Sequence, residues 1–316
     1  MYINYMEETI EERYKRYDIL FASQIKNGLY IDLNIDDICK ELAMYFKNPG
    51  RLNAQPNKNK IIYYFQQDNF YREEKKIFST NPDLRHKLID NRVKYLSEIS
   101  PGHLRPAESL TDAELLRGFK ISKIHQSYSH FSPYWTKYFV EKNNLKCVAD
   151  PFGGWGHHMI GILAAGAKCI YNDLSHHTVM DVIRMNDFIH SLYPNTESVI
   201  TEGDAKDFSI PDECDGVFMC PPYFNIEIYE CGKFDSREDF DNVIKSVLEN
   251  WFHSKARTLG IIIREDYEYL FANEQHDENC VCDFMPKWSS KEPVNTRLDH
   301  LSKAGKIYEY LYTFNK

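Results

Sequence analysis

The sequence predicts an α/β protein: a seven-stranded, mostly parallel sheet with a terminal antiparallel strand pair, preceded by a mostly helical N-terminal region. Three observations predict it. From about residue 130, short apolar runs alternate with helical stretches, the rhythm of a doubly wound sheet. Successive apolar runs end on an acid or on a proline-rich turn, as strands opening onto a ligand crevice do. The last two apolar runs, 279–285 and 306–314, have no helical pattern between them, which fits an antiparallel pair.

Each element has its own signal. Residues 1–27 read as one polar helix, and 34–47 as a second with Asn34 at its N-cap. The Pro, Gly and Asn content of 48–60 predicts a loop. "IIYYF" at 61–65 is either a strand or a buried helical turn, because its length does not decide. Amphipathic helices follow at 82–97 and 110–120, the second opened by the capping box Thr111-Asp112-Ala113-Glu114. "FSPYWTKYFVEKN" is a helix with Ser132 as N-cap and Pro133 at its first position. Strands are expected at 146–150, 168–173, 198–202, 215–220, 258–264, 279–285 and 306–314. Helices fit 156–166, 176–192 and 237–254, with a short one near 265–272. The expected domains are 1–125, either a recognition module or a helical cap, and 126–316, the sheet domain.

Composition narrows the class. Of the 316 residues 43% are hydrophobic and 14% aromatic, which argues for a packed core rather than disorder. The net charge of −9 speaks against a nucleic-acid partner at first sight, but it is uneven. Residues 1–130 hold 20 Lys+Arg against 18 Asp+Glu, whereas 131–316 hold 18 against 29. Residues 51–130 alone hold 14 against 9, and a local basic face suffices to attract a polyanion. The N-terminus "MYINYMEETIEERYKRYD" lacks an apolar h-region, and no run of eighteen apolar residues occurs. A soluble cytoplasmic protein without a membrane partner is expected. The eight cysteines read as reduced core thiols, and the lone C-x-C pair, Cys280 and Cys282, lacks the partners of a zinc site.

The chemistry sits at the strand ends. The first strand ends at Asp150, followed by Pro151-Phe152-Gly153-Gly154-Trp155-Gly156 and a helix. Glycines there permit left-handed angles and close approach of a small molecule to the main chain. The turn lacks both GK[ST] and G-x-G-x-x-G, so a phosphate cradle is disfavoured. Asp173 ends the second strand, where a carboxylate accepts two hydrogen bonds from a ribose diol. Asp204 ends the third, placed to accept from an adenine amine. One such acid alone is a cap or turn residue; three in order suit an adenosine-bearing cation, a sulfonium above a pyrophosphate. The fourth strand ends in Cys220-Pro221-Pro222-Tyr223-Phe224, a rigid turn with outward carbonyls and aromatic faces that suit a base with an exocyclic amine.

"DPFGGWG" and "CPPY" resemble motif I and catalytic motif IV of the S-adenosylmethionine-dependent DNA amino-methyltransferases, over about residues 130–316. The resemblance implies a Rossmann-like methyltransferase fold. It implies S-adenosylmethionine as cofactor and methylation of adenine N6, or cytosine N4, in a base flipped from double-stranded DNA. Phe131, Ser132 and Thr136 match the motif that touches the cofactor's methionine part. Asp150, Phe152, Gly153 and Gly156 match motif I, Asp173 the ribose acid and Asp204 the adenine acid. Cys220, Pro221, Pro222 and Tyr223 match the catalytic motif, with Tyr223 and Phe224 against the base. The family has Asp, Asn or Ser where this chain has Cys220, and a thiol is a weaker acceptor. The alternatives are an RNA or protein-glutamine methyltransferase sharing the pocket, or a non-catalytic nucleic-acid-binding relative. A bacterial or phage-infected cell is the implied setting. Only 93 residues follow Tyr223, so the recognition candidates are 1–125, the loop 225–239 and the basic loop 286–306.

Overall fold

The computed structural model describes residues 8–54, 59–99, 106–121, 131–224, 234–271, 281–282, 284–294 and 309–316. The chain divides into two compact units, Met1–Leu33 with Gln67–Tyr128, and Asn34–Gln66 with Ser129–Lys316. Residues 34–66, grouped with the N-terminal region by the sequence reading, therefore pack with the sheet.

The first unit is helical. It holds α1 (Ile10–Leu20), α2 (Ala22–Asn27) and the end of α4 (Lys60–Phe70), whose first turns belong to the second unit. The single polar helix expected over 1–27 is thus two. Its later helices are α5 (Arg72–Thr80), α6 (Pro82–Ile99) and α7 (Asp112–Ile121). Thr9 opens α1 with a capping box to Glu12, and Thr111 pairs reciprocally with Glu114 before α7. Tyr17, Phe21, Phe78, Leu88, Leu115 and Phe119 form its core. Asp18 binds Arg85 at 2.8 Å across it.

The second unit contains α3 (Ile35–Lys47), α8 (Pro133–Lys142), α9 (His157–Ala164), α10 (His176–Leu192) and α11 (Arg237–His253) around one sheet. The strands are β1 (Cys147–Asp150), β2 (Lys168–Asp173), β3 (Ser198–Glu202), β4 (Gly216–Met219), β5 (Thr258–Arg264), β6 (Ser290–Pro293) and β7 (Glu309–Asn315). Their order is β3-β2-β1-β4-β5-β7-β6, with β1 to β5 parallel and β7 antiparallel to both neighbours. This is the expected Rossmann-like methyltransferase arrangement. "IIYYF" resolves as helix, the start of α4, with Ile61 and Ile62 fully buried.

One strand was misplaced. β6 is Ser290–Pro293, inside the stretch expected to be loop, and not 279–285. The described part of that apolar run is turn, tucked in by Cys282 N–H donating to the Leu270 carbonyl at 3.0 Å. Cys282 and Met285 sit in the core with Val281 and Phe284 against it, and none of them pairs with a strand of the sheet. The true β6 is short, charged and ends in proline, the marks of a protected edge strand that carries no hydrophobic signal.

Segment 34–66 is held to α8 largely by polar ties. Trp135 Nε1 donates to the Ala54 carbonyl at 3.0 Å, and Lys137 Nζ to that of Tyr45 at 2.8 Å. Asn59 Nδ2 donates to the Phe131 carbonyl at 2.8 Å. Among the described residues no helix is long and apolar enough to cross a membrane.

Glu41 supplies a pH test. Its carboxylate accepts from the Ile61 N–H at 3.0 Å at the start of α4. Burial pushes its pKa from 4.5 up to about 7. The native state then holds a proton that the unfolded chain releases, so stability declines as pH rises from about 4.5 to 7. Against Glu41→Gln, wild type is expected to lose at most about 3 kcal/mol across that window in urea melts. Parallel pH profiles would remove Glu41 from this role.

Candidate functional site

The strand order reverses between β1 and β4, which are neighbours in the sheet although their chain connections run to opposite sides. That switch opens a crevice at the carboxyl ends of the strands. Asp150 ends β1 and Cys220 follows β4. The glycine turn and the Pro-Pro-Tyr exit, 70 residues apart in sequence, emerge from adjacent strands.

The β1–α9 turn lies on β2. Gly153 N–H donates to the Asn172 carbonyl at 2.8 Å, and a Cβ at Gly153 would stand 2.0 Å from Cε2 of Tyr171. Only a residue without a side chain packs there. Gly156 has φ +88° and caps α9, and a Cβ there would stand 2.2 Å from Cε of Met185. Gly154, with φ +54°, has open space where a Cβ would project. Its carbonyl accepts from the Tyr171 hydroxyl. The turn is therefore bound on its inner side and free on one outer face.

Asp173 joins two elements. One oxygen accepts from Gly154 N–H at 2.9 Å and the other from Ser175 N–H at 2.8 Å. Burial raises its pKa from the ordinary aspartate value, these two N–H groups oppose the rise, and the nearby Asp150 adds to it. Asp150 is fully buried; one oxygen lies 2.9 Å from His158 Nδ1, and Oδ1 has no hydrogen-bond partner among the described residues. Asp204 caps a short 3-10 turn, accepting from Lys206 N–H at 3.1 Å, and pairs with the Lys206 ammonium. It is half-exposed beyond β3.

At the β4 exit Cys220 and Pro222 are half-buried, Pro221 is buried, and Phe224 packs partly into the main core. Tyr223 departs from the expectation of an open stacking face. It is 6% exposed, its ring lies 5.3 Å from that of Tyr267, and its hydroxyl donates to Glu309 at 2.6 Å. The reason is β7, whose first residue brings a buried carboxylate beneath the exit. Beside it, the Arg237 guanidinium lies over Tyr267 and Tyr269, 4.5 and 4.8 Å from the ring centroids.

The start of α8 divides. Phe131 reaches the site, its ring 4.4 Å from that of His158. Phe152 packs against the main core. Ser132 is buried and makes no side-chain cap, so its N-cap role is positional only. Thr136 departs from the expected cofactor contact. It is fully buried, and the space a Gly161 Cβ would fill lies 2.9 Å from its Cβ, so it serves the close packing of α8 on α9. Three residues escaped the sequence reading. His158 holds Asp150, Glu309 holds Tyr223, and Asn172 donates to the Gly203 carbonyl at 2.9 Å while accepting from Thr201. Only Asn172 had a signal, its place beside Asp173 at a strand end. Of the candidate loops, 225–233 and 295–306 lie outside the described residues.

The glycines test this geometry. Gly153→Ala is expected to destabilise the protein by about 1–3 kcal/mol in urea melts, because the Tyr171 ring must move. Gly154→Ala should cost about 1–2 kcal/mol from its left-handed backbone alone, leaving neighbouring packing unchanged. Equal tolerance at Gly153 of alanine and larger residues would contradict the contact with Tyr171.

No family profile and no curated protein matches this chain. Among solved structures it is similar to a candidate RNA methyltransferase of Pyrococcus horikoshii, with 16% identity, 58% of this chain and 82% of that one covered, and a TM-score of 0.37. It is similar to TrmN from Thermus thermophilus, with 12% identity, 64% of this chain covered and a TM-score of 0.39; the match spans about half (53%) of TrmN. A third similar structure is TYW2 of P. horikoshii in complex with MeSAdo, with 13% identity, 59% and 64% covered, and a TM-score of 0.34. At this distance the likeness carries no activity over to this chain.

Proposed function

We propose that this chain is an S-adenosylmethionine-dependent methyltransferase acting on an exocyclic amine of a nucleic-acid base, adenine N6 in double-stranded DNA foremost. The observation that carries the reading is the adjacency, at the strand switch, of the Asp150–Gly156 turn and the Cys220–Tyr223 exit, with Asp173 clasping Gly154 between β1 and β2.

The residues fit the cofactor. Gly154 leaves open space at the turn, and each Asp173 oxygen spends one lone pair on an N–H and keeps capacity for a ribose hydroxyl. Asp150 adds a buried oxygen without a partner among the described residues. Asp173 would hold the ribose and Asp204 the adenine amine; Phe131, Asp150, Phe152, Gly153 and Gly156 would frame the methionine end. Bound there, the cofactor supplies an electrophilic methyl group on a sulfonium, whose charge the strand-end carboxylates favour. The chain's own work is to orient the amine. The main-chain carbonyls of the Cys220-Pro221-Pro222 turn accept its N–H groups, and Tyr223, fixed by Glu309, and Phe224 wall the pocket. A thiol at Cys220 accepts weakly, so the carbonyls carry most of that task.

Labelled S-adenosylmethionine with duplex DNA, single-stranded DNA and total RNA, read by nucleoside mass spectrometry, tests the substrate. N6-methyladenine or N4-methylcytosine in DNA supports the reading and names the base. Label in RNA alone, or in protein alone, would reassign the substrate; cofactor binding without any transfer would leave a non-catalytic relative. Cys220→Asn is expected to raise turnover roughly tenfold, the worth of one better hydrogen bond, at unchanged cofactor affinity. A slower variant would remove residue 220 from amine binding.

Asp173→Asn should weaken S-adenosylmethionine binding about tenfold and lower the melting temperature as well, because an amide can accept from only one of the Gly154 and Ser175 N–H groups. The raised pKa of Asp173 gives this a pH signature. In wild type, affinity should fall as pH drops through that pKa, since the protonated carboxyl accepts less well, and in Asp173→Asn it should stay flat. Calorimetry at a series of pH values reads both.

A further inference from the structure

The cofactor reading puts Asp150 and Phe131 at the methionine end, on two different elements, and one residue outside the motifs touches both. His158 is the second residue of α9. Gly156, at φ +88°, turns the chain into that helix, and side chains of a first helical turn tilt back toward the helix start. The imidazole therefore lies at the end of β1, where its Nδ1 stands 2.9 Å from Asp150 Oδ2. A carboxylate can only accept, so Nδ1 carries the hydrogen between them. The same ring meets Phe131 nearly at right angles, with centroids 4.4 Å apart, and Phe218 of β4 packs against it at 5.1 Å.

The pair is buried, where one charge acts strongly. Asp150 is fully buried and His158 is 5% exposed. Among the described residues the His158 N–H is the donor to this carboxylate, because Asp150 Oδ1 has none. A buried carboxyl without a donor takes up a proton rather than stay charged, so the imidazole N–H decides whether Asp150 is an anion. Both groups reach the next strand: Asp150 raises the pKa of Asp173 and His158 lowers it. A low-dielectric surrounding screens poorly, which is why a charge at Asp150 is felt beyond its own contacts.

We infer that His158 is a positioning residue of the cofactor site: it holds Asp150 as an anion and the Phe131 ring beside it, and the charge so held distinguishes the cofactor from its product. The inference rests on the methyl-transfer reading. Methyl transfer leaves the C–S electron pair on sulfur, forms the N–C bond from the amine's lone pair and releases a proton from the amine. A sulfonium cation thus ends as a neutral thioether, and the ligand's net charge falls by one. A fixed anion behind the glycine turn favours the cation and has no such effect on the thioether, so S-adenosylhomocysteine is held less tightly and leaves more readily. His158 acts in this through Asp150 and Phe131. No motif marks it, because its role comes from the neighbours that folding gives it.

The test uses the full chain as wild type, H158F, H158N and D150N, with S-adenosylmethionine and S-adenosylhomocysteine as probes in calorimetry. H158F keeps a ring against Phe131 and removes the N–H; H158N keeps an amide donor at the place of Nδ1 and removes the ring. The quantity to follow is the ratio of the two affinities, because a site that is merely loosened weakens both ligands alike. Relative to wild type, the preference for S-adenosylmethionine is expected to fall roughly tenfold in H158F and in D150N, and to stay within about threefold in H158N. The double variant H158F/D150N should show no further fall, since both changes remove the same charge. A ratio unchanged in H158F or in D150N, or lost as fully in H158N as in H158F, would overturn the inference, while S-adenosylmethionine binding by wild type would leave the reading beneath it standing. Wild type that does not bind S-adenosylmethionine would overturn both. Should H158F fail to fold, D150N decides alone: an unchanged ratio there overturns the inference, and a roughly tenfold fall with H158N near wild type upholds it.

Discussion

The Asp173 carboxylate, buried and bound to the N–H groups of Gly154 and Ser175, is the contact on which the geometry of the strand ends depends. Burying a carboxylate is unfavourable, which is why its pKa rises; two charge-assisted hydrogen bonds offset part of that cost. In return, one side chain joins the turn after β1 to the start of the helix after β2. Neighbouring Asn172 extends the clasp to β3 through Gly203 and Thr201. With Gly153 lying on the Tyr171 ring, the turn has one position available to it.

The β4 exit is held by a different device. Its proline pair limits the backbone. The orientation of Tyr223 comes from Glu309 at the start of β7, 86 residues away in sequence. The antiparallel insertion of β7 between β5 and β6 thus does more than close the sheet: it delivers a carboxylate under the candidate pocket. Segment 34–66 is tied to α8 through buried donors and main-chain carbonyls at Ala54, Tyr45 and Phe131. Those ties leave no trace in hydrophobic periodicity, and for that reason the segment reads as part of the helical N-terminus when only the sequence is considered.

The two units spend buried charge in contrasting ways. In the sheet unit Asp150 and Asp173 both end strands, Asp150 held by the His158 ring and Asp173 by two main-chain N–H groups. In the helical unit Arg85 is saturated by Asp18 and Phe78, whereas Arg92 keeps two buried donors without a hydrogen-bond partner among the described residues. Burial makes such differences energetically consequential, because a low-dielectric surrounding strengthens satisfied pairs and penalises unsatisfied ones.

The sequence by itself determined the parallel half of the sheet, the glycine turn and the acids at the ends of β1, β2 and β3. Buried parallel strands are continuous apolar runs, and a chain that turns against a neighbouring ring, as at Gly153, or enters left-handed angles, as at Gly154 and Gly156, has to use glycine there. These are local requirements, and local requirements are written in local residues. The tertiary structure alone decided the rest. β6 is an edge strand of Ser-Lys-Glu-Pro, whose only reason to be a strand is its partner β7, while the described part of the apolar run before it folds into a turn whose Val281 and Cys282 N–H groups bond the Tyr269 and Leu270 carbonyls rather than a sheet neighbour. Thr136 turned inward because Gly161 lets α9 approach it, and His158, Asn172 and Glu309 acquired roles only when folding brought Asp150, Gly203 and Tyr223 within reach. Partnership between residues far apart in the chain is a property of the packed molecule, because the contact energies that select it exist only once the strands are side by side.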